Sequence, residues 1–460
     1  MEEDIRCILS IDGGGFRGII PAKILSEIER RVTEEIKKDH KNVDIRCADL
    51  FDIISGTSTG SILALGLSIP KDNRPKFDAQ YLVDFYKTHG HEVFPEYSAI
   101  MFANMLLAKS KKLLQDYAEN EAEEVEERIK KIESKTNNEG KKVGILERLF
   151  SISMKKKNKS NETEKKKLDV TINKTEVVTI SKAEDVPDDI KKSKAEDLIM
   201  SKDEKKGEEY FTKALMYIKG YENAYNPWKP KYEPDVLEKL LQENFQDIKL
   251  KDTVNNVGVI IPSFNITNSE GTFFTNLYAQ YEDYLMRDVI QASASAPTYF
   301  PAKQIGTKYF IDGGVFQNNP TVIAYLEAKK KFPNAKFVVV SLGTGYFKTP
   351  LEMYKDSGVV QWVKPLIDIL FNAELDNDDA TMKFLAEFDG TSYYRIQPQL
   401  SMEDYSISNT STKETDRLIA FGDEIIKNPN YKLDEIINLL VEKCRKKMIF
   451  PTKTKSKAEK

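Results

Sequence analysis

Short apolar runs alternate along the chain with longer stretches in which apolar residues recur every three or four positions. The apolar runs predict buried strands at residues 6–11, 51–54, 257–261, 310–311 and 337–341. The amphipathic and apolar stretches predict helices at residues 20–36, 58–67 and 320–331. Because buried strands alternate with helices, the pattern predicts an α/β fold with a mostly parallel central sheet covered by helices on both faces.

A highly charged segment interrupts this pattern. Residues 111–210 contain 24 Lys and Arg together with 24 Asp and Glu, which leaves too little apolar surface for a packed core. We therefore predict one α/β domain in two parts, 1–104 and 221–428, separated by a charged insertion at 105–220. Residues 429–460 are predicted to form a C-terminal helix and a basic tail.

The insertion itself is not uniform. Apolar residues at helical spacing between Leu114 and Ile132 predict an amphipathic helix, and the Lys-rich residues 155–167 predict disorder. The apolar run 144–150 precedes the basic cluster 155–157, so it suits either a membrane interface or a local helix packed on the domain. The basic tail is expected to be attracted to anionic lipid.

Composition and charge argue against several classes of protein. The chain has 69 Lys and Arg against 73 Asp and Glu, so its net charge of −4 gives no support for nucleic-acid binding. Its three widely spaced cysteines argue against a disulfide scaffold and a Cys-based zinc site. The acidic start and the short apolar stretch 61–70 do not resemble a signal peptide or a membrane span. We expect a cytoplasmic protein, and export without an N-terminal signal peptide stays open.

The sequence Gly56-Thr-Ser-Thr-Gly60 has the pattern G-x-S-x-G and lies between a predicted strand and an apolar helix. In a sharp strand-to-helix turn the serine hydroxyl projects outward, and the glycines at the turn avoid steric clashes. The start of the following helix favours developing negative charge. This context predicts that Ser58 is a nucleophile, and a phosphate-binding loop or a plain turn is the alternative.

The first glycine-rich turn in the chain, Asp12-Gly-Gly-Gly-Phe-Arg-Gly18, follows the first predicted strand. Residues 13–18 match the dinucleotide-binding pattern G-x-G-x-x-G, but the acidic residue expected about 20 positions later at a strand end is absent, because residues 33–40 read as the end of a charged helix. The other use of exposed glycine N–H groups is an oxyanion hole. Arg17 would then contact a phosphate-bearing substrate or form a structural ion pair.

A serine nucleophile needs a base, and the histidines cannot supply it in the usual order. His40, His89 and His91 all precede the region where the histidine of an α/β-hydrolase would lie. Asp312, at the end of a predicted strand in Asp312-Gly-Gly314, is the best-placed carboxylate, although Asp-Gly alone would indicate a hairpin turn. His89 and His91 lack a convincing third metal ligand.

These motifs together resemble the patatin-like phospholipases, acyl hydrolases with a Ser–Asp dyad. Three shorter stretches, 292–300, 317–320 and 341–345, are also similar to the family. The resemblance covers about residues 4–100 and 225–425, and it implies a three-layer patatin-like sandwich whose parts 1–104 and 221–428 form the catalytic domain. The charged insertion departs from a compact patatin domain.

The resemblance also implies roles for the site residues. Ser58 would be the nucleophile and Asp312 the general base, and Gly13, Gly14 and Gly15 would donate the oxyanion-hole hydrogen bonds. The remaining motif residues would support this geometry: Arg17, Gly18, Gly56, Gly60, Gly313 and Gly314. The expected activity is of phospholipase A type, with an acyl-serine intermediate and neither a cofactor nor a metal ion.

The expected partner is a phospholipid membrane surface, with no nucleic acid, and a protein activator acting through the insertion stays open. The same residues leave two alternatives. One is a catalytically silent membrane- or partner-binding module on this fold, and the other is a nucleotide-cofactor enzyme that uses the 13–18 loop.

Overall fold

The computed structural model describes residues 4–95, 229–346, 351–400 and 406–449. All of them belong to one compact unit that comprises Met1–Ser98 and Lys219–Lys460. The predicted insertion, with its amphipathic helix, its apolar run and its low-complexity segment, lies outside the described residues, as does the end of the basic tail. The domain boundaries proposed from the sequence therefore stay predictions.

The centre of the fold is a mixed sheet whose larger part is parallel. The strands are β1 (Ile5–Ile11), β2 (Ile53–Gly56), β3 (Pro70–Lys71), β4 (Arg74–Pro75), β5 (Gly258–Asn265), β6 (Glu270–Thr275), β7 (Lys303–Ile305), β8 (Lys308–Asp312), β9 (Lys336–Leu342) and β10 (Ser392–Ile396). The order in the sheet is β10-β9-β1-β2-β5-β8-β7, with β6 also paired to β5, while β3 and β4 form a separate hairpin. Strands β10, β9, β1, β2 and β5 run parallel, whereas β6 and β8 run antiparallel to β5.

Helices cover both faces of this sheet. They are α1 (Ile19–Lys37), α2 (Cys47–Leu50), α3 (Thr59–Ser68), α4 (Ala79–Val93), α5 (Asp235–Phe245), α6 (Met286–Ala294), α7 (Thr321–Lys331), α8 (Val359–Asp389), α9 (Thr412–Lys427) and α10 (Leu433–Ile449). None of the helices in the described part of the chain has the length and apolar character that crossing a membrane requires.

Alternation along β1 explains the three layers. Cys7, Leu9 and Ile11 point into the larger core, which α1, α3 and other helices cover. Ile8 points to the opposite face, where residues of α7 and α8 form a second core. Because successive side chains of a strand face opposite sides, a strand that is apolar throughout must be covered on both sides. The predicted three-layer α/β sandwich with a mostly parallel sheet is confirmed.

Candidate active site

Ser58 lies in a sharp turn between β2 and α3. Its backbone has φ 53° and ψ −120°, which is unusual for a residue other than glycine. The turn needs glycine at Gly56, since a Cβ there would lie 2.1 Å from the Gly60 carbonyl oxygen. Ser58 N–H donates to Ser293 Oγ at 2.9 Å, and Ser293 Oγ donates to the Pro262 carbonyl at 2.6 Å. These two hydrogen bonds hold the strained residue in place.

The structure brings Ser58 and Asp312 into direct contact, although 254 positions separate them in the sequence. Ser58 Oγ donates to Asp312 Oδ2 at 2.7 Å, and Gly314 N–H donates to Asp312 Oδ1 at 2.7 Å. The two side chains meet because their strands flank β5. Strand β2 pairs with β5 in parallel, and β8 pairs with it antiparallel, with Asp312 opposite Ser263.

The Asp312 carboxyl is fully buried. Burial raises its pKa to about 7, against the opposing effect of the hydrogen bonds from Ser58 and Gly314. A carboxylate with an ordinary pKa is a weak base for an alcohol, whereas a base whose pKa lies near the working pH transfers protons efficiently. The environment of Asp312 therefore makes it a competent proton acceptor at neutral pH.

The first glycine-rich turn passes directly beside Ser58. A Cβ on Gly13 would lie 3.2 Å from Ser58 Cβ and 2.3 Å from Asn318 Oδ1, so a side chain at this position would force Asn318 to move. Gly13 N–H donates to the Asn318 carbonyl at 3.2 Å and is thus engaged. Gly14 and Gly15 N–H have no hydrogen-bond partner among the residues that the structure describes. Two of the three donors predicted from the sequence are therefore unoccupied.

Other residues of the predicted motifs support this turn and the one that carries Ser58. Arg17 is buried beside the cavity, and its Nε donates to the Gly14 carbonyl at 3.3 Å. Gly18 lies against Thr59 and Tyr86, whose hydroxyls share a hydrogen bond. Gly313 follows Asp312 and packs on the Pro262 carbonyl.

A cavity of about 280 Å³ opens beside Ser58. Its walls are mostly apolar and aromatic, with Ile62, Phe85, Phe94, Leu237, Tyr299 and Phe300 among them. Phe94 and Phe300 pack on each other with ring centroids 5.8 Å apart. An apolar pocket that ends at a hydroxyl nucleophile suits an acyl chain, because burial of its methylene groups favours binding.

The hydrogen bonds described for the Ser58 and Asp312 side chains do not involve a histidine. His40 and His91 are exposed, while His89 lines the cavity wall with its Nδ1 3.5 Å from Glu92 Oε2. In the described ranges, no group of three or more His, Cys, Asp or Glu side chains is arranged to hold a metal ion.

Several residues at the site were missed by the sequence reasoning. Thr344 Oγ1 donates to the Gly13 carbonyl at 2.6 Å, and the Ile407 carbonyl accepts from Phe16 N–H at 2.8 Å. Ser293 and Thr344 lie in the stretches 292–300 and 341–345, so the resemblance to the family could have indicated them. Ile407 acts through its backbone, which no side-chain motif can signal.

Comparison with known proteins shows the family of the chain. The family model described as patatin-like phospholipase matches residues 9–325. Patatin-like protein 2 of Oryza sativa subsp. indica is 26% identical over 467 residues, which cover 93% of this chain and 85% of that protein. Patatin-17 of Solanum cardiophyllum is 49% identical over 88 residues, covering 19% of this chain and 22% of that protein.

The crystal structure of VipD from Legionella pneumophila covers 92% of this chain and 67% of its own, at 14% identity and a TM-score of 0.29. Overall superposition at this score is poor. The family model, by contrast, spans well over half of the sequence and includes Ser58, Asp312 and the first glycine-rich turn. The chain therefore belongs to the patatin-like phospholipase family, whose activity is the hydrolysis of lipid acyl esters.

Proposed function

We propose that the protein is a phospholipase of type A that cleaves fatty-acyl esters of glycerophospholipids through an acyl-serine intermediate. Ser58 is the nucleophile and Asp312 the general base. The observation that carries this proposal is the 2.7 Å hydrogen bond from Ser58 Oγ to Asp312 Oδ2 at the edge of an apolar cavity. Gly14 and Gly15 supply the oxyanion-hole donors, and Gly13 brings the loop close to Ser58.

In the first half of the reaction, Ser58 Oγ attacks the acyl carbonyl carbon while Asp312 accepts the hydroxyl proton. Negative charge develops on the carbonyl oxygen and is stabilised by the Gly14 and Gly15 N–H groups, each worth about 3 kcal/mol in an oxyanion hole. The tetrahedral intermediate collapses as protonated Asp312 returns the proton to the departing lysolipid oxygen. The fatty acyl group is now esterified to Ser58.

In the second half, Asp312 accepts a proton from a water molecule, which attacks the acyl-serine carbonyl. Collapse of this second intermediate releases the fatty acid, and Asp312 returns the proton to Ser58 Oγ. The apolar cavity walls keep the acyl chain bound while this occurs and limit the access of bulk water.

The lipid substrate places the reaction at a membrane surface. We extend the proposal to a cytoplasmic protein that associates with membranes peripherally, supported by the basic residues near the C-terminus. A protein activator acting on residues 105–220 belongs to the same proposal.

The test is fatty-acid release from mixed phospholipid vesicles, with a chelator present in parallel samples. Wild type is compared with Ser58→Ala, Asp312→Ala and the matched control Ser68→Ala. Ser68 is a buried serine at the end of α3, the helix that follows Ser58, and its hydroxyl donates to the Ala64 carbonyl within that helix. We expect release by wild type and Ser68→Ala with or without chelator, and release reduced at least about a thousandfold in the two dyad variants.

Persistent release by Ser58→Ala would overturn the mechanism. Vesicle binding without release by any variant, including one that lacks residues 111–210, would instead support the silent binding module. Release that appears only when residues 111–210 are removed would keep the proposed chemistry and show that the insertion restrains it.

A further inference from the structure

A buried ion pair holds Asp12, the first residue of the first glycine-rich turn. Arg395 of β10 donates from Nη1 to Asp12 Oδ1 at 2.9 Å and from Nη2 to Asp12 Oδ2 at 2.5 Å. The side chains are 8% and 1% exposed. Two parallel hydrogen bonds between a planar guanidinium and a carboxylate fix the orientation of the carboxylate as well as its position.

Arg395 reaches Asp12 across the intervening strand. Arg395 is paired with Ser341 of β9, which is paired in turn with Ser10 of β1. On the way, Arg395 Nη1 also donates to Ser341 Oγ at 2.8 Å. The backbone of Asp12 is held too, because its N–H donates to the Leu342 carbonyl at 3.0 Å. The side chain of Asp12 is therefore held by β10 and its backbone by β9.

Asp12 immediately precedes the glycines that line the site. A rotation of Asp12 would displace Gly13, which contacts Ser58, and the Gly14 and Gly15 N–H groups that follow it. Oxyanion donors act only when they are held within about 0.5 Å of the productive geometry. We propose that Arg395 is a positioning residue for the reaction, which orients the Gly14 and Gly15 N–H groups through Asp12. This inference rests on the function proposed above.

A second buried ion pair lies at the beginning of β1. Lys443 Nζ lies 2.5 Å from Asp52 Oδ2, with side chains 8% and 10% exposed. Asp52 Oδ2 also accepts from Cys7 N–H at 2.8 Å, so this pair fastens the beginning of β1 as Arg395 fastens its end. Arg6 Nη1 also lies 3.3 Å from Asp52 Oδ1. Replacing Lys443 therefore removes one buried cation at the beginning of β1, whereas the glycine-rich turn follows the end of this strand.

The experiment compares wild type, Ser58→Ala, Arg395→Lys, Arg395→Met and Lys443→Met on a soluble p-nitrophenyl acyl ester. Steady-state kinetics and urea unfolding are measured for each. We expect Arg395→Met to lower kcat about 100-fold with KM within about twofold of wild type, since the donors act on the transition state. Arg395→Lys keeps the charge but loses the bidentate geometry, so we expect its kcat to lie between those of wild type and Arg395→Met. Lys443→Met lowers the unfolding midpoint and keeps kcat within about twofold.

Equal kcat losses in Arg395→Met and Lys443→Met, or a change confined to KM, would show that Arg395 is merely structural. If Arg395→Met does not fold, the double variant Asp12→Asn with Arg395→Gln removes both charges and leaves neither of them buried alone. We expect it to fold with kcat at least about tenfold below wild type, and an unchanged kcat would overturn the inference. Failure of the proposed function is distinguishable, because wild type itself would then be no faster than Ser58→Ala.

Discussion

Asp312 accepts hydrogen bonds from Ser58 Oγ and from Gly314 N–H, and these oppose the effect of burial, which raises its pKa. Its charged form is the one that can accept the Ser58 proton, whereas burial favours the neutral form. Function and stability therefore favour opposite protonation states of the same carboxyl. Two measurements follow from this conflict.

The first concerns the dependence of activity on pH. Because burial raises the pKa of Asp312 to about 7, the fraction of active base falls as the pH drops below 7. We expect kcat/KM for a soluble ester to rise about tenfold per pH unit below this value and to level off above it. Unfolding measured across the same range controls for loss of structure. A rate that stays constant between pH 5 and 8 in folded protein would contradict the assignment of Asp312 as base.

The second concerns stability. The ordinary pKa of an aspartate carboxyl is 3.8, and burial raises the pKa of Asp312 to about 7 in the folded protein. Between these values the folded state binds more protons than the unfolded state, so stability decreases as the pH rises from about 4 to 7, by about 4 kcal/mol in total.

Asp312→Asn cannot ionise and avoids this cost. We expect its free energy of unfolding to exceed that of wild type by about 4 kcal/mol at pH 8, with the difference disappearing near pH 4, while activity is lost. Urea unfolding at both pH values measures the effect. A variant that is less stable than wild type at pH 8 would show that the carboxylate is stabilised by its hydrogen bonds rather than strained by burial.

At the scale of elements, the turn that carries Ser58 depends on the end of α6. Ser293→Ala removes the acceptor of Ser58 N–H and releases a backbone whose conformation costs about 1–3 kcal/mol. We expect kcat to fall about tenfold. Ser295→Ala is the control, since Ser295 is also buried but its hydroxyl bonds to the Gln291 carbonyl. Equal kinetics of the two variants would indicate that Ser293 only fills space.

The elements that the sequence predicted well are those buried on both faces. The strand predicted at 6–11 is Ile5–Ile11, and the helix predicted at 58–67 is Thr59–Ser68. Continuous apolar character leaves few other choices for such segments. The direction of β8 was not predictable, because a five-residue strand carries no signal of whether its neighbour runs parallel or antiparallel.

The site residues likewise differ in whether the sequence alone indicates them. Ser58, Asp312 and the glycines are recognisable because their motifs are local in the sequence. Arg395 lies in the strand Ser392–Ile396 without any motif, and its partner Asp12 is 383 positions away. A buried arginine in a strand indicates that some carboxylate must face it, but only the strand order shows which one.

At the scale of the whole molecule, the sheet extends beyond the part that matches the family. The match ends at residue 325, whereas β9, which separates β1 from the edge strand β10, comes after that residue. A chain that stops at residue 331 would leave β1 as an exposed apolar edge. We expect it to be insoluble or unfolded by circular dichroism, and a chain that stops at residue 449 to fold normally. A soluble, folded product of the shorter chain would contradict this view of the sheet.

The strand order has one more consequence. Strands β1 and β2 come from residues before 96 but lie between β9 and β5, which both come from residues after 228. A chain cut once between residues 96 and 228 should thus remain a single particle in gel filtration and separate only in denaturant. Ser58 is then on one polypeptide and Asp312 on the other, so each fragment alone is inert. Ester hydrolysis should therefore return only when the two denatured fragments are mixed and refolded together.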